Sequence, residues 1–413
     1  MKEQIVQYLN DPVELERLYR QHKMLFKKAF FALYPEVSNH PVAQCWYARL
    51  QDERDEVQWG TKYEWMRVMM LGLLAGAVAK LPDWLSIQPE DFYPRYAGFI
   101  VFPFLMWLHM WKKHISFRQV AWLWGIVAIA FLYIRFLPGH IGNDTFILAC
   151  LYLPVLLWAL LGIVYMQNRL VDQESRFLYL QYNGDLLVMT QLILAAGGAF
   201  TGITLALFSL IQIHLQAIYL HTIGIWGLAA SPIVASYLIE INPQLVRKIS
   251  PIIATIFAPL TLGLMVSYLI ALFYIGKNPY NDREFLLIFN IVLLGVMAII
   301  FFSVTSFSES TSRILIWVLL ALSIATVLFC GIALSAIMFR MVKWGITPNR
   351  LAVLGNDALI MINLILITYQ LFMVILRKHA LDAVSKSITS FLPVYVIWSV
   401  CVSFLFPVLF HFQ

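Results

Sequence analysis

Charge is scarce in this chain. Asp, Glu, Lys and Arg make up 13% of its 413 residues, about half the share in a soluble globular protein. That shortage excludes a disordered chain, a nucleic-acid-binding domain and an ordinary cytosolic enzyme. Cysteine is scarce as well. Cys45, Cys150, Cys330 and Cys401 include no CxxC pair, and their wide spacing suits neither a zinc site nor a disulfide framework. Walker A, HExxH, GxSxG and GxGxxG followed by an acidic residue are all missing. His114, His140, His214, His221 and His379 fall in different loops and helices, so no metal or cofactor is expected. A secretory leader would place an apolar core just after a basic start. The first 60 residues are charged instead, and the first membrane helix is expected to serve as an uncleaved signal. No internal repeat is visible.

What is abundant is apolar sequence. Hydrophobic residues make up 61%, and the mean hydropathy is +0.76. A membrane-spanning helix needs about 20 mostly apolar residues. Eleven runs are candidates: 65–82, 95–111, 118–137, 145–166, 184–211, 216–239, 249–275, 285–307, 313–339, 350–376 and 391–411. They are too long and continuous for barrel strands, and backbone groups in lipid must be paired within the helix. The expected fold is therefore all-α: a polytopic transmembrane bundle of about eleven helices (65–413) behind a short amphipathic helical segment (1–64). The lipid bilayer is the partner this composition demands.

Charge divides the chain in the same place. Residues 1–64 carry 19 charged side chains, and the 349 residues after them carry 33. With the N-terminus inside and strict alternation, inside segments hold 21 of the 29 basic residues, in keeping with the positive-inside bias. Lys112, Lys113 and Arg118 support that orientation, as do Arg247–Lys248 and Arg377–Lys378. The turn carrying Arg340, Lys343 and Arg350 opposes it.

Within 1–64, a helix is expected over 10–34. Asp11 is its N-cap, Pro12 its first position and Pro35 its stop. Leu15, Leu18, Leu25, Phe26, Ala29, Phe30 and Leu33 form one stripe. Arg17, Arg20, Lys23, Lys27 and Lys28 occupy much of the rest. A second helix from Asn39 carries Val42, Cys45, Trp46 and Leu50 and ends in the acidic run from Asp52 to Glu56. Such helices fit packing on each other and on the protein's own loops, a membrane surface, or a partner protein.

Polar residues inside apolar runs are candidates for function. The fullest set is Gly345-Ile-Thr-Pro-Asn-Arg350 and the helix behind it. Thr347 is placed to cap and Pro348 to start that helix, with Asn349 and Arg350 in its first turn. Asp357 then lies about 10 Å deeper than Arg350. Asn356, Asn363 and Gln370 recur every seven residues and so share one face. They read either as a polar pathway for an ion, proton or solute, or as interhelical hydrogen bonds with Asp357 protonated or paired to an Arg. Arg340 and Lys343, with Arg350, are candidate contacts for a phosphate. Gln191, Asn290 and His221 stand alone, Glu240 reads as interfacial, and Arg135 is within reach of the surface. Pro103, Pro154, Pro232 and Pro259 fall inside runs as kink sites, and Gly197, Gly198 and Gly202 mark a smooth face for close packing.

The stretch Trp344-Gly-Ile-Thr-Pro-Asn-Arg350 resembles an aromatic-Gly-Leu/Ile-Thr-Pro-Asn-Arg motif of a bacterial multi-pass family catalogued as domain of unknown function 4153. The opening Asn10-Asp-Pro-Val-Glu-Leu-Glu-Arg-Leu-Tyr19 looks like that of its Bacteroidota members. The resemblance implies a polytopic protein of the bacterial inner membrane and supplies no activity or catalytic residues. Three functional classes stay open. One is a secondary transporter or permease of a small solute or ion, with a polar cavity near Asp357. The second is a scaffold or sensor acting through 1–64 and a partner protein. The third is an intramembrane transferase on lipid-linked substrates.

Overall fold

The computed structural model describes residues 2–21, 23–52, 60–139, 142–167, 169–210, 216–275, 283–305 and 313–412. Every regular element among them is helical. His140, His214 and most of the acidic run after Asp52 lie outside the described residues. So do the side chains of Lys23, Leu25, Lys28, Arg247 and Lys248. The chain divides into two compact units, Met1–Trp59 and Gly60–Gln413.

The first unit holds α1 (Lys2–Gln7), α2 (Pro12–Gln21), α3 (Lys23–Val37) and α4 (Pro41–Asp52). Asp11 caps α2 as expected, its Oδ1 accepting from the amides of Val13 at 3.1 Å and Glu14 at 3.2 Å. Three results differ from the reading of the sequence. The early residues add a helix, α1, whose Ile5 joins the core. Pro35 does not stop α3, which continues to Val37. Leu15, Tyr19, Phe26, Phe30, Trp46 and Leu50 pack as one apolar cluster, with Tyr19, Phe26 and Trp46 rings 5.1–5.4 Å apart. Ala43 takes the buried place expected for Cys45, which is exposed. Glu16 of α2 pairs with Arg20 and with Arg49 of α4. The Arg49 hydrogen bond, then that of Arg20, holds its carboxyl below the usual range.

The second unit opens with α5 (Lys62–Ala79), α6 (Leu81–Leu85), α7 (Pro89–Lys112), α8 (Phe117–Phe136) and α9 (Asp144–Tyr165). It continues with α10 (Gln173–Leu210), α11 (Gln216–Tyr219), a π-helical turn (Leu220–Gly224), α12 (Ile225–Ile241), α13 (Pro243–Ile275) and α14 (Arg283–Thr305). Last come α15 (Arg313–Trp344), α16 (Pro348–Ile375), α17 (Asp382–Val400), a second π-helical turn (Cys401–Leu405) and α18 (Phe406–Leu409). Among the described residues, seven helical stretches are long and apolar enough to cross a membrane: Phe117–Phe136, Asp144–Tyr165, Gln173–Ala206, Leu220–Ile241, Arg313–Trp344, Pro348–Ile375 and Asp382–Leu409. Thr255–Ile270 and Phe289–Thr305 are shorter apolar segments. The expected spans at 65–82 and 95–111 lie on α5 and α7 but are not among the seven.

Two apolar cores fill this unit. One is built from α5, α7, α8, α9, α12 and the start of α10. The other is built from α13, α14, α15, α16 and α17, with Leu180 of α10. Leu148 of α9, Ala352 of α16, and Val402 and Phe406 after α17 form a small cluster that joins them. Outward faces carry large apolar side chains such as Met66, Met70 and Leu73 on α5 and Leu151 on α9, the surface expected of a protein solvated by lipid.

Proline costs the backbone a donor, and two such losses are repaired locally. Pro232 leaves the Leu228 carbonyl without its helical donor, and the Ser231 hydroxyl donates to it at 3.0 Å. Pro407 does the same to Ser403, whose carbonyl accepts from the Tyr133 hydroxyl of α8 at 2.7 Å. Pro103, Pro154 and Pro259 also lie within continuous helices. Gly197, Gly198 and Gly202 meet no described atom within 4 Å, so their smooth face is not packed by the described part of the chain.

Candidate functional site

Local sequence sets the entry to α16 as expected. Gly345 turns the chain at φ +82°, a backbone that side chains avoid. Thr347 then caps the helix by accepting from the Arg350 amide, and Pro348 occupies the first position. Arg350 folds back, its Nη1 donating to the carbonyls of Gly345 at 2.7 Å and Trp344 at 3.1 Å. These last carbonyls of α15 have no helical donor. Asn349 is half-buried beside it.

Asp357, about two turns beyond Arg350, is 1% exposed. Among the described residues neither carboxylate oxygen has a hydrogen-bond partner. Arg350 is engaged at the turn, so the expected alternative of an Arg–Asp pair is not realised. Around Asp357 stand residues of three other helices. Cys330 of α15 donates its thiol to the Asp357 carbonyl at 3.2 Å. Tyr152 of α9 lies close enough to feel the carboxylate's charge. Trp398 of α17 lies flat against Gly355, where a Cβ would overlap its indole ring. The Trp398 Nε1 is buried and interacts with the Tyr152 hydroxyl.

The amide stripe divides. Asn363 is fully buried and donates to the Tyr395 hydroxyl of α17 at 3.0 Å, while its side-chain carbonyl oxygen has no partner among the described residues. Gln370 is half-buried and bonds His379 at 2.7 Å. Asn356 is half-buried. The three amides share a face but reach different neighbours, so they do not converge on one ligand. Arg340, Lys343 and Arg350 gather round the Trp344 ring, 5.4, 4.9 and 6.0 Å from its centroid.

A second polar network was not expected. His109 of α7 is fully buried. Its Nδ1 lies 2.9 Å from Glu240 Oε1 at the end of α12, and its Nε2 lies 3.0 Å from the Tyr182 hydroxyl of α10. Tyr182 in turn lies 2.9 Å from the Ser236 hydroxyl. With Glu240 ionised, Nδ1–H donates to it, and a neutral ring leaves Nε2 to accept from Tyr182. The other oxygen of Glu240 is buried without a hydrogen-bond partner among the described residues. Lys113 lies over the Tyr165 ring at 3.7 Å and donates to its carbonyl at 2.5 Å. Burial pushes its ammonium below the ordinary value. Nearby, Lys112 bonds Glu64 at 2.6 Å. Glu64 also takes the Thr61 amide and the Tyr237 hydroxyl.

Two cavities open at this end of the bundle. One, of 280 Å³, is lined in part by Lys113, His114, Gln119 and Gln167. The other, of 410 Å³, lies among Arg67, Met70, Trp107, Trp111 and Phe117. A signal for the His109 network does exist in the sequence. His109, Tyr182 and Glu240 each lie within two residues of an end of an apolar run, and alternation puts all three ends on one side. Among the described residues no group of three His, Cys, Asp or Glu side chains is placed to hold a metal ion. No protein-family model, no curated protein and no solved structure matches the chain.

Proposed function

We propose that the chain moves protons, alone or with a small solute, across a membrane, and that Asp357 carries the proton. One observation carries this reading: a carboxyl group almost wholly buried, with no hydrogen-bond partner on either oxygen among the described residues, between two groups of helices. A carboxylate kept there without water or a cation costs several kcal/mol, far more than a protonated acid. Ionisable groups in such places mark ion and proton pathways by default. Asn363 and Tyr395 supply further polar atoms one to two turns deeper. In this reading all eleven apolar runs cross, α5, α7, α13 and α14 included. The first unit then lies inside, the 340–350 turn lies outside, and the protein sits in a bacterial inner membrane as a member of the family its Gly-Ile-Thr-Pro-Asn-Arg stretch resembles.

The test uses the full chain in liposomes, a potassium potential clamped with valinomycin and a lumenal pH dye. Wild type conducts protons, and Asp357→Asn and Asp357→Leu, both folded, do not. Full proton flux in both variants removes Asp357 from the mechanism. A second reading is favoured by the separate core of Met1–Trp59: a scaffold or sensor that binds a protein partner through that unit. It is recognised by undiminished partner capture when Asp357 is replaced.

A further inference from the structure

The turn between α15 and α16 plays no part in the proton reading, yet it gathers positive charge with no acid beside it in the sequence. Residues 340–350 contain Arg340, Lys343 and Arg350 and no Asp or Glu. All three cations lie within 6.0 Å of one indole, Trp344. Among the described residues neither Lys343 nor Arg350 has a carboxylate partner. A cation over an aromatic face gains from the ring quadrupole, but Lys343 and Arg350, like charges about one ring, repel one another. An anion seated among them removes that repulsion.

The surroundings say what carries the anion. Val342 is 89% exposed and Ile346 63%, with Met338, Phe339 and Trp344 exposed beside them. Water would not favour so much bare apolar surface next to the charges, whereas a lipid supplies phosphate and chain together. The turn is also held rigid. Arg350 Nη1 is tied to two carbonyls and Thr347 caps α16, while the rest of the Arg350 fork makes no hydrogen bond with described residues. The space above Gly345 is open to 4 Å. With the N-terminus inside, this turn lies on the face where basic residues are disfavoured. Orientation therefore gives no reason for its charge.

We propose that the α15–α16 turn is a binding site for the phosphate of an anionic bilayer phospholipid, clamped by Arg340, Lys343 and Arg350 with its chains along Val342 and Ile346. The inference needs membrane residence and not proton transport, so it stands or falls independently of Asp357. Full-length protein in mild detergent is offered phosphatidylglycerol and phosphatidylcholine of equal chain length, and the lipid retained is read by native mass spectrometry. Wild type retains phosphatidylglycerol in preference. The double variant Arg340→Gln, Lys343→Gln lowers that preference about twenty-fivefold at low ionic strength, since each surface cation is worth about fivefold. Arg377→Gln with Lys378→Gln, at a different turn, leaves it unchanged. The wild-type preference also falls in half-molar salt, a check that needs no variant. Equal retention of both lipids, which simple interfacial anchoring gives, overturns the proposal. So does an undiminished preference in the double variant. Inorganic phosphate competing as well as the lipid, or a polyprenyl phosphate retained in place of phosphatidylglycerol, overturns the assignment to a bilayer phospholipid.

Discussion

Around Asp357 each neighbour is fixed by close packing, and the site is correspondingly intolerant of added atoms. Gly355 lies beneath the Trp398 ring, where a methyl group would overlap the indole. Gly355→Ala is therefore expected to destabilise the body by about 1–3 kcal/mol, the usual cost of overpacking, read as a lowered melting temperature in detergent. Gly331→Ala on the neighbouring α15, where no atom lies within 4 Å, is the control. It should cost nothing, since alanine is the better helix former. Equal destabilisation by the two would show that the Trp398–Gly355 contact is not what holds this region. The sequence placed Asp357 and the amide stripe on one helix. It could not show that Trp398 and Tyr395, 41 and 38 positions further on, would come to lie against them.

At the scale of the element, helix ends here are finished by side chains from elsewhere in the chain. Arg95 of α7 donates to the carbonyls of Ile134 and Gly139 at the end of α8. Thr61 and Glu64 form a capping box at the start of α5. Glu64 sits one residue ahead of the first apolar run. The Lys112 hydrogen bond first, then the Thr61 amide, lowers its carboxyl from the ordinary 4.5 to about 2. A carboxyl depressed on folding contributes stability above its unfolded value and loses it as pH falls toward the folded one. The expected outcome is that wild type melts above Glu64→Gln at pH 6, and that this gap narrows steadily between about pH 4.5 and 2. A gap that does not change across that range would mean the ion pair contributes nothing. The capping box was open to inspection in Thr61-Lys-Tyr-Glu64. Lys112, 48 positions away, was not.

For the whole molecule, the two units differ in how they are held. Met1–Trp59 has one small core centred on Phe26, Phe30 and Trp46. A core of that size rarely supplies more than about 3–5 kcal/mol, and Phe→Ala substitutions in a core cost about 3–5 kcal/mol. Phe26→Ala should therefore unfold this unit. Hydrogen exchange would show protection lost across 2–52 and kept in α7, α9 and α15. Protection retained in α2 and α4 would mean that something other than this core holds the unit.

The sequence by itself determined that the chain is helical and lipid-facing, where its polar residues interrupt the apolar runs, and how α16 begins. Each of these depends on composition, period or neighbours a few residues apart. Only the tertiary structure decided that Asp357 lacks a hydrogen-bond partner among the described residues, that Pro35 lies inside a helix, and that His109 meets Glu240 and Tyr182 in one buried network. Those outcomes depend on which faces of distant helices meet, and in a chain apolar on nearly every side hydropathy does not distinguish a face turned to protein from one turned to lipid.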